Sequence, residues 1–290
     1  MRDRRTNAAL LAAAAMIALI ACDRKSEPPK APDPGSGDDV SLVREETLQE
    51  QDEAMGKAGR LADFAAIATA AAADSARPEA DRADDERRKP VEALAFMEVQ
   101  PGMTVFEIEA GGGWYTELLS HAVGSTGSVI MQNPAGFQSF VGDKIAERLK
   151  DGRLPNVRQS ISNFDALESA DGSVDLVTWV QGPHELYYKP KEGPLGDPAK
   201  SYAEIARILK PGGAFVVIDH SAESGAPETT GDTLHRIDKI IVMQMADQSG
   251  FTLVGESDFL GNPEDPLTVG VFDPSIRGHT DQFALRFRKD

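Results

Sequence analysis

The sequence has little cysteine, few aromatic residues and fewer bases than acids. Cys22 is the only cysteine, which excludes a small disulfide-stapled scaffold. Its most apolar segment, residues 8–20, has 13 residues, too few for a comfortable membrane span and far from a multi-span membrane protein. With 30 Lys and Arg against 47 Asp and Glu, the net charge of −17 argues against a nucleic-acid-binding protein. What remains is a globular protein of 290 residues, long enough for a sizeable core.

The first 22 residues are organised like an export signal. Three arginines precede the apolar segment, and the sequence LIAC at 19–22 resembles a bacterial lipoprotein box, in which the cysteine is lipidated. We predict a signal peptide over residues 1–21 and a lipid anchor on Cys22 that tethers the protein to the inner or outer membrane, on the periplasmic side of a bacterial cell envelope. A single uncleaved signal anchor is the alternative, and it too places the remaining chain outside.

Two further segments precede the main domain. Residues 22–40 are rich in proline, glycine and charge, which predicts a disordered spacer. Residues 41–94 are interpreted as a helical N-terminal extension, since the stretch up to 73 lacks proline and is rich in alanine. The charged run 84–90 (DDERRKP) is interpreted first as a solvated surface. Four residues of the extension lie at helical spacing and are expected to pack as one stripe: Leu61, Phe64, Ala65 and Ala68.

From residue 95 onward, apolar segments alternate with amphipathic ones. The strand candidates are 103–108, 128–132, 156–161, 173–181, 213–219, 251–257 and the final run DQFALRFRK. One predicted helix carries Leu234, Ile237, Ile241 and Met245 on one face, and another carries Tyr202, Ile205 and Leu209. The alternation predicts an α/β fold whose parallel sheet is covered on both faces. Ligands of such sheets bind beyond the carboxyl ends of the strands.

A glycine-rich turn follows the first predicted strand in the sequence VFEIEAGGGWYTE. Glycine lets the backbone approach a ligand closely, and the start of the next helix offers free N–H groups. As a dinucleotide fingerprint, Gly111-x-Gly113 would need a third glycine where Thr116 stands. The second strand also lacks a closing acid, so pyrophosphate binding is disfavoured.

The turn resembles the first motif of the class I S-adenosylmethionine-dependent methyltransferases, an acid on the first strand followed by G-x-G-x-G. Glu107 matches the acid, Gly111 and Gly113 match the second and third glycines, and Glu109 replaces the first. LKPGG at 209–213 and the segment SVDLVTW also fit. The resemblance covers residues 95–290 and implies a Rossmann-like doubly wound seven-stranded sheet with an antiparallel last strand. By the same resemblance, the run 84–90 can act as a lid over the site.

The resemblance also implies a cofactor, S-adenosylmethionine, and a set of contacts to it. Glu107 is expected to hold its methionine part, Gln132 and Asn133 its ribose, and Asn163 its adenine. Gln132 and Asn163 stand where the family usually has acids. The complete set of expected cofactor-binding residues is Glu107, Glu109, Gly111, Gly113, Trp114, Tyr115, Gln132, Asn133, Asn163 and Gln181. A closer resemblance is to exported methyltransferases that share GGGWYTE, TLHRID and FDPSIRG.

Candidate catalytic residues follow the fourth and fifth predicted strands. His184, with Glu185 beside it, is the candidate general base, because histidine titrates near neutral pH. His220 follows the fifth strand and is the third catalytic candidate. A structural hydrogen bond within the loop is the alternative role of His184. The acceptor-binding loops, residues 182–200 and 221–232, carry no recognisable motif, so neither the acceptor nor the oligomeric state is predicted.

Three functional hypotheses remain open. The first is an exported, membrane-tethered methyltransferase with an unknown small-molecule or exported acceptor, although its donor is made in the cytosol. The second is a periplasmic binding protein that keeps the fold without catalysis, which the replacements at Glu109, Gln132 and Asn163 favour. The third is a metal-dependent enzyme that uses His184, His220 and His235 with Asp219 or Glu185. Sequence spacing does not enforce such a site, and no metal is assigned.

Overall fold

The computed structural model describes residues 56–57, 59–191 and 193–290. The predicted signal peptide, Cys22 and the predicted spacer lie outside the described residues, as does the first part of the predicted helical extension. Among the described residues, no helix combines the length and the apolar character that a membrane span requires.

One mixed sheet contains seven strands: β1 (Thr104–Ile108), β2 (Ser128–Asn133), β3 (Val157–Ile161), β4 (Val174–Val180), β5 (Leu209–His220), β6 (Phe251–Ser257) and β7 (Gln282–Lys289). Their order is β3-β2-β1-β4-β5-β7-β6, and β7 runs antiparallel to both of its neighbours. Strands β1 to β5 are parallel to one another. The strand order reverses beside β1, so the carboxyl ends of β1 and β4 form the switch point at which such sheets bind ligands. The predicted fold class is confirmed.

Helices cover both faces of the sheet: α1 (59–72), α2 (Glu79–Arg82), α3 (Asp85–Arg88), α4 (Pro90–Met97), α5 (Trp114–Val123), α6 (Gln138–Leu149), α7 (Pro198–Ile208), α8 (Thr230–Leu234) and α9 (Lys239–Gln248). Alternating strand residues point to two separate cores. On β1, Val105 joins the core under α4 and α5, while Phe106 and Ile108 join the core that includes residues of α7 and α9. Glu107 shares the face of Val105 and therefore lies beneath α5.

The N-terminal extension packs as a helical layer, with a different stripe from the predicted one. Phe64 and Ala68 are buried as expected, whereas Leu61 and Ala65 are exposed. Ala71 is buried instead, so the apolar stripe of α1 lies one turn further along the chain. The buried residues of α1 belong to the core under α4 and α5, which also contains residues of α4.

The helix predicted around residues 234–245 is two helices with a break. His235 has a left-handed backbone (φ 53°) that ends α8, and Ile237 forms a β-bridge with Ser221. Asp238 then accepts a hydrogen bond from Ile240 N–H and caps the start of α9. Similarly, Leu209 begins β5 rather than extending α7. Asp238 explains the break, because its side chain satisfies a free N–H group of the first turn and so favours the start of a new helix there.

Candidate active site

A pocket of about 480 Å³ lies at the carboxyl ends of β1 and β4, at the switch point of the sheet. The glycine turn, the start of α5, the last residue of α3 and one face of α6 enclose it. Ligand pockets are commonly about 300–1,000 Å³, so its size suits a cofactor. Six of the residues expected to bind the cofactor line it: Glu107, Glu109, Gly111, Trp114, Tyr115 and Gln181.

The glycine turn needs its glycines for two different reasons. Gly111 has φ 56°, and a Cβ built on it would meet no atom within 4 Å, so this side of the turn is open for a ligand. Gly113 has φ 83°, and a Cβ there would lie 2.8 Å from Met131 Cε and 2.7 Å from Arg148 Cδ. Gly111 therefore leaves space in the pocket, whereas Gly113 allows the turn to pack closely against Met131 and Arg148.

Gln132 and Asn133, expected at the cofactor ribose, are fully buried and hold the glycine turn, and their contacts with the ribose stay predictions. Gln132 Oε1 accepts from Glu109 N–H at 2.9 Å, and its Nε2 donates to Ser162 C=O at 2.5 Å. Asn133 Oδ1 accepts from Gly111 N–H at 2.8 Å, and its Nδ2 donates back to Gly111 C=O at 3.1 Å. An amide can both donate and accept, which a carboxylate cannot, and this explains the residue type at both positions.

Glu107 lies at the floor of the pocket and is buried. Thr116 donates a hydrogen bond of 2.5 Å to Glu107 Oε2. Burial raises the pKa of Glu107 to about 7, and the Thr116 hydrogen bond opposes that rise. The carboxylate is therefore poised to ionise when a cationic group enters the pocket.

Arg88 closes the pocket from the charged run 84–90 and contacts the aromatic pair at the start of α5. Its guanidinium carbon lies 4.2 Å from the Trp114 ring centroid and 5.0 Å from that of Tyr115. Trp114 Nε1 donates to Asp81 C=O at 2.9 Å, and the Tyr115 hydroxyl donates to Arg88 C=O at 3.3 Å. Burial lowers the pKa of Arg88. The run is therefore solvated at Glu86 and Arg87, which are exposed, and covers the pocket at Asp84 and Arg88, which line it.

Arg148, which sequence reasoning missed, joins α2 to the glycine turn. Its Nε donates to Gly112 C=O at 2.6 Å, and its Nη1 donates to Asp81 at 2.8 Å and to Glu117 at 2.5 Å. Glu117 is also paired with Arg153 at 2.6 Å. This network, of which only Glu117 is fully buried, holds α2, α5 and α6 around the pocket, and no spacing in the sequence indicates it.

A second polar cluster, the histidine cluster, lies beyond the ends of β4 and β5. It contains His184, Glu185, Asp219 and His235. His184 Nδ1 is 2.7 Å from Asp219 Oδ1, and its Nε2 is 3.4 Å from Glu185 Oε1. His235 Nδ1 approaches the same Glu185 oxygen at 3.3 Å. Four residues separated by up to 51 positions thus meet at one edge of the sheet.

The protonation states of two histidines bear on the predicted catalytic roles. Burial lowers the pKa of His184, but Asp219 and Glu185 raise it by more, to about 10, so the side chain is protonated at neutral pH. A protonated imidazole cannot accept a proton, which argues against His184 as general base in this state. Burial lowers the pKa of His220 to about 3, and its Nδ1 is 2.7 Å from Thr280 Oγ1. His220 is therefore neutral and lies outside the histidine cluster.

Glu109 lies between the pocket and the histidine cluster. It lines the pocket, and its Oε2 accepts from Trp179 Nε1 at 3.1 Å. Burial raises its pKa well above the usual range, and the charge of Glu185 adds to that rise. A Cβ on Gly182 would come within 2.4 Å of the same oxygen, so Gly182 permits this close packing. The carboxylate that replaces the first motif glycine is thus directed toward β4.

Comparison with known proteins identifies the class. Residues 87–229 match the model of the ubiE/COQ5 methyltransferase family. The chain is 31% identical over 195 residues to a ubiquinone/menaquinone biosynthesis C-methyltransferase of Hydrogenovibrio crunogenus and 29% identical over 194 residues to one of a Marinomonas species. The first match covers 67% of this chain and 66% of the relative. In its family match and its curated relatives, the chain is similar to the class I S-adenosylmethionine-dependent methyltransferases.

Solved methyltransferase structures share the fold of this chain. A methyltransferase from Aquifex aeolicus superposes with a TM-score of 0.51 at 20% identity, covering 72% of this chain and 96% of that one. Geranyl diphosphate C-methyltransferase from Streptomyces coelicolor gives 0.51 at 16% identity, covering 76% and 84%. The chain spans 66% of the length of the first two curated relatives. The cofactor of the class is S-adenosylmethionine, as the glycine turn predicts.

Of the remaining predicted site residues, Asn163 and Gly113 do not line the pocket, whereas Gln181 does. Asn163, expected at the adenine, lines a separate pocket of about 500 Å³ together with Tyr187 and Tyr188. Gly113 is absent from the pocket lining and packs against α6. Gln181 has a left-handed backbone (φ 59°), and its N–H donates to Ile218 C=O at 2.6 Å. Their contacts with the cofactor stay predictions.

Proposed function

We propose that the protein transfers a methyl group from S-adenosylmethionine to an acceptor bound at the carboxyl edge of its sheet. The observation that carries this proposal is the charge arrangement of the 480 Å³ pocket, which the buried Glu107 and the half-buried Arg88 both line. The amino-acid end of the donor has an ammonium and a carboxylate, which are complementary to these two side chains.

Residues of the pocket fit the donor beyond this charge match. Gly111 leaves open space beside the cavity, and the ring pair Trp114 and Tyr115 forms an apolar wall under Arg88. Glu107 would hold the ammonium and Arg88 the carboxylate, while Gln181 lies at the β4 end of the pocket. When bound, the cofactor supplies an electrophilic methyl group. The chain then orients donor and acceptor, since proximity provides much of the rate of such a transfer.

Donor binding and methyl transfer test this proposal separately. Calorimetric titration of the full chain with S-adenosylmethionine and S-adenosylhomocysteine should give micromolar binding of both. The curated relatives are named as ubiquinone/menaquinone C-methyltransferases, so a demethylated quinone is the first acceptor to assay for methyl transfer from labelled donor. Failure of a well-folded sample to bind either S-adenosylmethionine or its demethylated product, S-adenosylhomocysteine, would refute the proposal.

A non-catalytic donor-binding protein is the second candidate function. The observation that favours it is the orientation of Gln132 and Asn133, whose side chains hold the glycine turn and leave the pocket without the carboxylate that the family usually offers to the ribose. Donor binding without transfer to quinones or to exported proteins would support this candidate over the enzyme.

We propose in addition that the protein is exported and tethered by a lipid on Cys22. The arginine-rich start, the 13-residue apolar segment and the single cysteine at its end support this proposal. Labelled fatty acid should be incorporated into the wild-type chain and not into Cys22→Ser, and the variant should leave the membrane fraction. A variant that stays on the membrane would instead support an uncleaved anchor.

A further inference from the structure

We propose that His184, Glu185 and His235 bind a divalent transition-metal ion of the zinc class, with Asp219 as the outer carboxylate. One ligand atom from each of the three residues lies within 4.8 Å of the other two. Glu185 Oε1 lies at the centre, 3.4 Å from His184 Nε2 and 3.3 Å from His235 Nδ1. Metal–ligand distances of about 2.0–2.2 Å place neighbouring ligand atoms about 3–3.5 Å apart, so these separations suit a shared ion.

Asp219 orients His184 for this role. Its Oδ1 is 2.7 Å from His184 Nδ1, and its Oδ2 accepts from His184 N–H at 2.9 Å. The backbone N–H of His220 also donates to Asp219 Oδ1, at 2.8 Å. With an ion bound, His184 would be neutral: its Nδ1 proton would stay on the side of Asp219, and its Nε2 lone pair would bind the ion that Glu185 Oε1 also contacts. Metal-binding histidines typically have such an outer partner.

His235 is held in place by its backbone and by aromatic neighbours. Its left-handed φ of 53° is unusual for a residue other than glycine, and it turns the chain at the end of α8. The Tyr188 ring lies 4.9 Å away and the Phe272 ring 5.1 Å away, on centroids. A strained backbone that aims a histidine at a carboxylate and another histidine indicates a functional constraint.

One carboxylate oxygen of Glu185 lacks a hydrogen-bond partner, and the negative charges of Glu185 and Asp219 exceed the positive charge beside them. Its Oε2 is buried and has no hydrogen-bond partner within the described part of the chain. A buried polar atom without a partner is costly, and a bound cation would satisfy it. A divalent ion with two neutral histidines would also balance the charges of Glu185 and Asp219, whereas a protonated His184 alone leaves one negative charge over.

Residues around the cluster limit the ligand set to two histidines and one carboxylate. His220 Nδ1 is paired with Thr280, and Glu109 Oε2 is paired with Trp179. Three protein ligands leave coordination positions open for water or substrate. Because Glu109 separates the ion from the donor pocket, we place the ion on the acceptor side of the cleft. That acceptor role rests on the proposed methyl transfer, whereas binding of the ion does not.

Metal titration of the tag-free full chain tests this inference. After chelation and dialysis, Zn²⁺ should bind with a stoichiometry of one per chain, Mn²⁺ more weakly and Mg²⁺ more weakly still. Co²⁺ should give absorption bands of a nitrogen- and oxygen-ligated ion. His235→Ala and Glu185→Gln should each weaken Zn²⁺ binding at least tenfold, and Asp219→Asn tenfold to a hundredfold. His279→Ala removes an exposed histidine and serves as the matched control.

Two results would overturn the metal site. One is a folded wild-type chain that retains no Zn²⁺, and the other is wild-type affinity in both His235→Ala and Glu185→Gln. Equal affinity for Mg²⁺ and Zn²⁺ would refute the zinc class. Thermal unfolding of each variant checks its fold, and His235 is partly exposed, so its truncation is the mildest change. S-adenosylhomocysteine binding by the same samples separates failure of the metal site from failure of the donor pocket.

Discussion

The donor pocket and the histidine cluster lie at the same edge of one sheet, yet they handle charge differently. In the pocket, Glu107 is buried and Arg88 is half-buried beside a cavity, and the two form no ion pair with each other among the described residues. In the cluster, His184 contacts Asp219 and Glu185 directly. The first region leaves its charges available to a ligand from solution, whereas the second satisfies most of its charges internally. We therefore expect changes in the pocket to alter binding and changes in the cluster to alter stability.

Asp219→Asn should produce the largest effect, on stability. The substitution removes the charge that faces His184 and places an amide donor near two backbone N–H groups. Breaking a buried charged pair typically costs about 3–5 kcal/mol. The free energy of unfolding from urea titration, in chelator at pH 7, should fall by about that amount. Asp232→Asn, which alters an acceptor of Lys189 N–H, is the matched control and should change it little. If Asp219→Asn unfolds with the same free energy as the wild type, the histidine cluster does not stabilise the fold, and the contrast between the two regions is wrong.

Gly111→Asp should have the opposite profile, with donor binding lost and the fold retained. Aspartate tolerates the left-handed backbone better than most residues, but its carboxylate would occupy the open space beside Glu107. S-adenosylhomocysteine affinity should fall at least 100-fold, about 2.7 kcal/mol, in calorimetry. Gly152→Asp changes an exposed glycine of similar φ (67°) and should bind like wild type. Unchanged binding in Gly111→Asp would remove the glycine turn from the donor site.

The sequence predicts these two regions to very different degrees. Strand–helix alternation is a local property, so the sheet and the glycine turn could be predicted, and Glu107 followed from the turn. The sequence offered the meeting of His184, His235 and Asp219 only as one of three hypotheses, because these residues come from distant segments that the folded sheet brings together. His235 further requires a break between α8 and α9, whereas the apolar spacing indicated one helix.

The pocket cover could be predicted only through the family resemblance and not from the residues themselves, for a related reason. A charged run such as 84–90 is usually solvated, and nothing local indicates that Arg88 stacks on Trp114 from the next structural layer. Gln132 and Asn133 were assigned by position to the ribose, but their amides hydrogen-bond the turn. Position in a motif therefore gives the neighbourhood of a side chain, while its hydrogen-bond partners depend on the residue type.

The pH dependence of donor binding should sharpen the assignment of Glu107. The pKa of this buried carboxyl is about 7 in the free protein, and the donor's ammonium requires the ionised form. S-adenosylhomocysteine affinity should therefore rise about tenfold per pH unit below about 7 and level off above it. Glu107→Gln should bind weakly at every pH and lose this dependence. A wild-type affinity that is flat between pH 5 and 8 would show that Glu107 does not meet the ammonium.

Arg88→Gln should give the smallest effect, and Arg87→Gln is its matched control. Arg88 lines the pocket and stacks on Trp114, whereas its neighbour Arg87 is partly exposed and pairs with Asp84 at 2.9 Å. Losing a charged partner of the donor's carboxylate should lower S-adenosylhomocysteine affinity about tenfold, equivalent to about 1.4 kcal/mol. The Arg87 variant should bind like wild type. If both variants lose affinity equally, the cover contributes only its general positive charge, and Arg88 makes no specific contact. If only Arg88→Gln loses affinity, Arg88 is part of the donor site. The contrast then holds for a single side chain, because Arg88 serves a ligand whereas His184 is paired within the protein.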